Sequence, residues 1–208
     1  TATEQFDRYL AECPLVAIIR GVTPDQVEAI GEAILSAGIR IIEVPLNSPD
    51  PLASIERLAA RLDGRALVGA GTVLEPQQVA EVANAGGRLI VAPNTNKAVI
   101  QAAASANLVA APGYFTPSEG FEALEAGAHA LKLFPAEGAS PAVLKAQRAV
   151  LPKVTPVLVV GGIQPDNMGP WLDAGANGFG LGSGLYAPGR SADETAARAR
   201  AYAEGVRR

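Results

Sequence analysis

His129-Ala130-Leu131-Lys132-Leu133-Phe134-Pro135 is an apolar run with an amine at its centre. It is too short for a helix and is bounded by Gly127 and Pro135, so it reads as a buried strand that carries a lysine. Short apolar runs recur on both sides of it, at 15–20, 39–46, 66–72, 88–93, 108–113, 155–162 and 178–183, which makes eight. Helical patterns lie between them. Their starts are marked by Thr23-Pro24-Asp25, Ser48-Pro49-Asp50, Glu75-Pro76, Thr116-Pro117, Ser140-Pro141, Gln164-Pro165-Asp166 and Ser191-Ala192-Asp193, and several stop at an Ala-Gly pair. Strands separated by one helix each must run parallel, and eight such units close into a (β/α)8 TIM barrel. A doubly wound open sheet is the competing architecture. It is disfavoured because no Gly-x-Gly-x-x-Gly opens the first helix and no second domain is present.

Bulk composition agrees with one domain over residues 1–208. The chain is 49% hydrophobic and 18% charged, enough apolar material for one large core, with no linker or break in composition. Phe6, Tyr9 and Leu10 among Glu4, Asp7 and Glu12 predict a short amphipathic N-terminal helix lying against the domain rather than a signal peptide. With 17 basic against 21 acidic residues the net charge is −4, which gives no field for nucleic acid or anionic lipid. The uncharged stretch 98–118 is interrupted by Gln101, Asn107, Pro112, Gly113 and Pro117 and is not a membrane span. Cys13 is the only cysteine, so no intramolecular disulfide can form and a reducing cytoplasm fits. No His-rich or carboxylate cluster has metal-ligand spacing.

An ammonium taken out of water loses solvation, so burial of Lys132 favours the neutral, nucleophilic amine and makes a Schiff base its obvious chemistry. Two bland readings compete: neutralisation by a buried carboxylate, and a stem that snorkels to a rim. In a parallel barrel the site lies at the C-terminal ends of the strands, where this chain gathers polar groups. Alternation puts Glu43 on the inner face with Ile41 and Pro45, and Lys132 inward with Ala130 and Phe134. His129 has the opposite parity, near the strand start, and reads as structural. Glu43 and Lys132 are then either an acid/base and nucleophile in one cleft or a structural ion pair. Gly161-Gly162 and Gly182-Ser183, ending the seventh and eighth strands, suit close approach of a phosphate to backbone N–H groups. Arg20 and Thr72 can serve the other end of an anionic substrate, a solvated rim arginine being the alternative for Arg20.

The motifs Ile42-Glu43-Val44 followed by Pro45-Leu46-Asn47-Ser48-Pro49, Gly69-Ala70-Gly71-Thr72-Val73-Leu74, Leu131-Lys132-Leu133-Phe134-Pro135-Ala136-Glu137, Val160-Gly161-Gly162-Ile163 and Gly180-Leu181-Gly182-Ser183 resemble the 2-keto-3-deoxy-6-phosphogluconate/galactonate aldolases. The resemblance runs from about Pro14 onward. It implies a class I pyruvate aldolase on a (β/α)8 barrel, a homotrimer, that cleaves a 2-dehydro-3-deoxy-6-phospho sugar acid to pyruvate and D-glyceraldehyde 3-phosphate with no metal or organic cofactor. It implies Lys132 as the imine-forming residue and Glu43 as general acid/base. Arg20 and Thr72 match the carboxyl end of the substrate, and Gly161, Gly162, Gly182 and Ser183 the phosphate cradle. The segment from Pro45 to Pro49 resembles the galactonate branch, as does Val160, where gluconate relatives place threonine. A phosphosugar epimerase or isomerase barrel and a non-catalytic phosphosugar-binding protein remain as other classes, neither of which needs Lys132.

Overall fold

A computed structural model describes residues 1–207. Its strands are β1 (Leu15–Ile18), β2 (Ile41–Pro45), β3 (Leu67–Gly71), β4 (Leu89–Val91), β5 (Val109–Ala111), β6 (Gly113–Tyr114), β7 (Leu131–Leu133), β8 (Val157–Val160) and β9 (Gly178–Leu181). All pair in parallel, in the order β5-β4-β3-β2-β1-β9-β8-β7-β6. The two ends of that order adjoin. The His129 N–H donates to Ala110 O and the Lys132 N–H to Pro112 O, both at 2.9 Å, which closes the (β/α)8 barrel. The predicted fifth strand is therefore split. Proline has no N–H to give the ladder, so pairing with β4 stops at Ala111 and resumes with β7 from Gly113.

Period-2 alternation sorts the side chains as the sequence predicts. Ile41, Leu67, Leu89, Val91, Val109, Ala130 and Leu158 face the barrel interior, while Ile42, Val44, Leu131 and Leu133 pack outward under the helices. The outer layer consists of α2 (Val27–Ser36), α3 (Pro51–Arg61), α4 (Pro76–Asn84), α5 (Lys97–Ser105), α6 (Pro117–Glu125), α7 (Pro141–Arg148), α8 (Gly169–Asp173) and α9 (Ala192–Gly205). The first of these ends as the Ala-Gly signal predicts, with Gly38 at φ 92°. The helix after β8 starts later than Gln164-Pro165-Asp166 suggests. Asn167 accepts from the Gln164 N–H and donates to Gly162 O, both at 2.9 Å, and this side-chain alternative holds the segment as a loop until Gly169.

The N-terminal helix, α1 (Ala2–Glu12), does more than lie against the domain. Capped by Thr1 and Glu4, it inserts Phe6, Tyr9 and Leu10 into the same inner cluster as the strand residues and so plugs the barrel at the strand starts. Tyr9 donates to Gly64 O (3.0 Å), Arg8 lies over the Tyr9 ring, and Asp7 pairs with His129 Nε2 at 2.8 Å. The His129 ring also meets Phe6 edge-on. This is the structural role its parity predicted.

Candidate active site

At the opposite end the strand termini surround a cavity of about 470 Å³. Lys132 and Phe134 lie at its base, and its walls include Arg20, Thr72, Val160, Gly161, Gly162, Gly182 and Ser183. All but one of the sequence-predicted site residues thus converge on one space of small-molecule size. The exception is Glu43, which is 2% exposed and does not line the cavity. It sits beneath it, in register with Ile18 on β1 and Gly69 on β3. A Cβ at Gly71 would take the place of its carboxylate, so the absent side chain there is what makes the room.

Lys132 is 7% exposed, with Nζ 4.6 Å from the Phe134 ring centroid. Burial lowers the amine's pKa and the Arg20 charge lowers it further, against the opposing pull of Glu43. Burial pushes the Glu43 carboxyl up to about 7, with the Lys132 and Arg20 charges resisting. Its Oε2 is buried without a hydrogen-bond partner. The two groups make no salt-bridge contact, although each feels the other's charge. What stands at the cavity base is an amine biased toward neutrality above a carboxyl biased toward holding its proton.

Arg20 projects from just beyond β1, where its guanidinium donates to Asn47 Oδ1 and lies 3.4 Å from Thr72 Oγ1. The three residues come from the loops after β1, β2 and β3, so Arg20, though exposed, is tethered to its neighbours at the rim. Thr72 has φ 57°, a left-handed conformation that a β-branched residue adopts only when its surroundings impose it. Neither Asn47's hold on Arg20 nor the Thr72 strain was visible in the sequence; the Asn47 side chain gave only a branch signal there.

The far wall is built from β8 and β9. Gly161 (φ 117°) and Gly162 (φ 65°) occupy left-handed backbone, and Glu137 lies so close to Gly161 that a Cβ there would collide with its carboxylate. Gly182 differs, since a Cβ on it would meet no atom within 4 Å. The N–H groups of Ile163 and Gly184, both in the cavity wall, have no acceptor among the described residues. Val160 lies in register with Gly180 on β9, and its methyls fill the space that a side chain at Gly180 would take. Among the described residues no group of His, Cys, Asp and Glu stands close enough together to hold a metal ion.

A parallel barrel with a cavity, a buried amine and a proton-holding carboxyl at the C-terminal strand ends has the arrangement of a barrel enzyme. Comparison with known proteins is specific. The family model for KDPG and KHG aldolase matches residues 6–198, and the chain belongs to that family of lyases. It is 44% identical over 200 residues to 2-dehydro-3-deoxy-6-phosphogalactonate aldolase of Escherichia coli (strain K12), covering 96% of this chain and 98% of that protein. A KHG/KDPG aldolase of the same organism is 32% identical over 161 residues, covering 76% and 74% of the two chains. A solved structure described as native KDPGal superposes with a TM-score of 0.92 at 46% identity, covering 93% of this chain and 94% of that one. No helix among the described residues is long and apolar enough to cross a membrane.

Proposed function

We propose that this aldolase cleaves 2-dehydro-3-deoxy-6-phospho-D-galactonate to pyruvate and D-glyceraldehyde 3-phosphate through an imine on Lys132. The observation that carries the reading is the buried Lys132 amine, biased toward its neutral form, at the base of a cavity that sits directly above a carboxyl pushed up to about 7. Neutral Lys132 attacks the C2 ketone. Loss of water from the carbinolamine needs a proton donor, and Glu43 can deliver one near neutral pH, through a bridging water because it lies below the cavity rather than on its wall. The Glu43 carboxylate, through the same water, then takes the C4 hydroxyl proton as C3–C4 breaks, and the electrons pass into the iminium to form an enamine. Glu43 returns a proton to C3, and hydrolysis frees pyruvate and Lys132.

Arg20, held by Asn47 beside Thr72, is placed to bind the substrate carboxylate. The N–H groups of Ile163 and Gly184, with Gly161, Gly162, Gly182 and Ser183 around them, are suited to the phosphate. Holding both anionic ends fixes C3–C4 over the imine plane. The galactonate substrate is favoured over the gluconate one by the greater identity to the galactonate relative and by Val160, which offers shape and no hydroxyl beside the C4 carbon.

Exposed Leu74, Phe115 and Phe121 on neighbouring loops and α6 support burial against other copies, and we assign a homotrimer. Phosphorylated substrates and a single unpaired thiol support a cytoplasmic enzyme. Borohydride with pyruvate should add a reduced pyruvyl group to Lys132 alone. Adducts on Lys97, Lys145 or Lys153 refute the assignment. Cleavage of both C4 epimers side by side tests the substrate. Val160→Thr should shift kcat/KM toward the gluconate epimer by about five- to tenfold, the worth of one hydrogen bond, and a wild type that already prefers that epimer tenfold overturns the galactonate reading.

A further inference from the structure

Two carbonyls on the wall assigned above to phosphate are tethered from outside the cavity. Asn167 Nδ2 donates to Gly162 O at 2.9 Å, and Arg190 Nη1 donates to Ser183 O at 3.0 Å. Neither Asn167 nor Arg190 lines the cavity. A trans peptide is planar, so the N–H of the following residue points away from a carbonyl that is pulled outward. The following residues are Ile163 and Gly184, whose N–H groups are among the unpartnered donors of the wall, together with those of Gly161, Gly162, Gly182 and Ser183. The adjoining bonds agree. Leu185 and Tyr186 both donate to Gly182 O, and no backbone acceptor takes the Ser183 or Gly184 N–H.

Helix α9 holds the two loops against each other. Arg198 Nη1 donates to Gly184 O at 3.1 Å, and Tyr202, one turn later, donates to Ile163 O at 2.9 Å. One helix face therefore grips the loop after β8 and the loop after β9.

We propose that Asn167 and Arg190 are positioning residues that aim the Ile163 and Gly184 N–H groups into the phosphate end of the site, with Arg198 and Tyr202 fixing the separation of the two loops. This rests on the phosphate reading of that wall. The test compares the phosphorylated substrate with its non-phosphorylated 2-keto-3-deoxy acid counterpart in the full chain. Arg190→Met, Asn167→Ala and Tyr202→Phe should each raise KM for the phosphorylated substrate about five- to tenfold, with little change in kcat and no change for the other substrate. Arg190→Lys should recover part of the loss. Arg200→Met removes the same charge from α9 at an exposed position with no hydrogen bond to either loop, and should leave KM unchanged. Equal losses on both substrates, or an equal loss in Arg200→Met, overturn the inference in favour of general destabilisation or bulk charge. A wild type that does not discriminate the two substrates refutes the phosphate reading itself, whereas discrimination that survives in all three variants refutes only the positioning role.

Discussion

The two ends of this barrel are made from the same strands and treated in opposite ways. At the strand starts α1 seals the interior with Phe6, Tyr9 and Leu10, and the polar groups there, such as Asp7 with His129, find partners at the surface. At the strand ends the interior is left open and holds a buried amine, a buried carboxyl with an orphaned oxygen, and a threonine in left-handed backbone. A larger groove of about 580 Å³ lies on the sealed side, around Gln5, Asp63, Gly64 and Arg88, yet none of the buried ionisable groups reaches it. Cavity size therefore does not locate the chemistry. Energetically unfavourable groups gathered in one place do, because such groups cluster at functional sites.

The largest expected contrast sets Lys132 against Phe6. Lys132→Met should abolish turnover and borohydride trapping while leaving thermal stability equal or higher, since an apolar side chain replaces an amine that burial disfavours. Phe6→Ala should do the reverse. It removes a fully buried ring from the plug, which should destabilise by about 3–5 kcal/mol, while molecules that remain folded keep their kcat. Loss of kcat in folded Phe6→Ala would mean that the plug shapes the far end.

Glu43→Gln should lower proton exchange at the pyruvate methyl by about 10²-fold. It also carries a pH signature. The folded chain holds the Glu43 proton up to about 7, against 4.5 for the ordinary group, so between these values the folded state binds more protons than the unfolded one. Wild-type stability therefore falls as pH rises through that window, by about 3 kcal/mol, and Glu43→Gln should be free of that fall. Urea unfolding at intervals from pH 4 to pH 8 reads the difference. A difference independent of pH would show that the carboxylate is already compensated in the folded chain.

Much of this was legible in the sequence because period-2 alternation in a buried strand leaves a charged residue no ambiguous face. Glu43 and Lys132 could be placed inward from their neighbours alone, and the glycine pairs after β8 and β9 marked the far wall. What could not be read depends on contacts between distant segments or on backbone state. Asn47 meets Arg20 across 27 residues, and Asn167 looks like an ordinary loop residue until its bond to Gly162 is seen. The break at Pro112 followed from the missing N–H, but an apolar run on both sides of it concealed the split. The N-terminal helix showed its apolar face, though nothing local to it said that the barrel mouth was its partner.

Within the open end, Gly182 and Gly161 should separate binding from folding. Gly182→Ala places a methyl where no protein atom stands and requires no left-handed backbone, so stability should change by less than about 0.5 kcal/mol. Binding of phosphorylated substrate should weaken by about tenfold, because the methyl stands in its way. Gly161→Ala has φ 117° to satisfy and Ala136 N 3.0 Å from the new Cβ, and should lower stability as well. Unchanged phosphate binding in Gly182→Ala would move the phosphate off this wall.

The smallest effect concerns Thr72. A β-branched residue held at φ 57° costs about 1–2 kcal/mol relative to glycine, while glycine gives back roughly 0.5–1 kcal/mol through its greater freedom when unfolded. Thr72→Gly should therefore raise stability by about 1 kcal/mol or less. Activity should move the other way, since the hydroxyl that stands 3.4 Å from the Arg20 guanidinium is lost, and KM for pyruvate-bearing substrates should rise. Thr72→Asn, whose side chain tolerates left-handed backbone, should keep most of the stability gain. If both variants are less stable than wild type, the strain at Thr72 is compensated by its own contacts, and the open end of the barrel is less loaded against folding than its buried carboxyl and amine suggest.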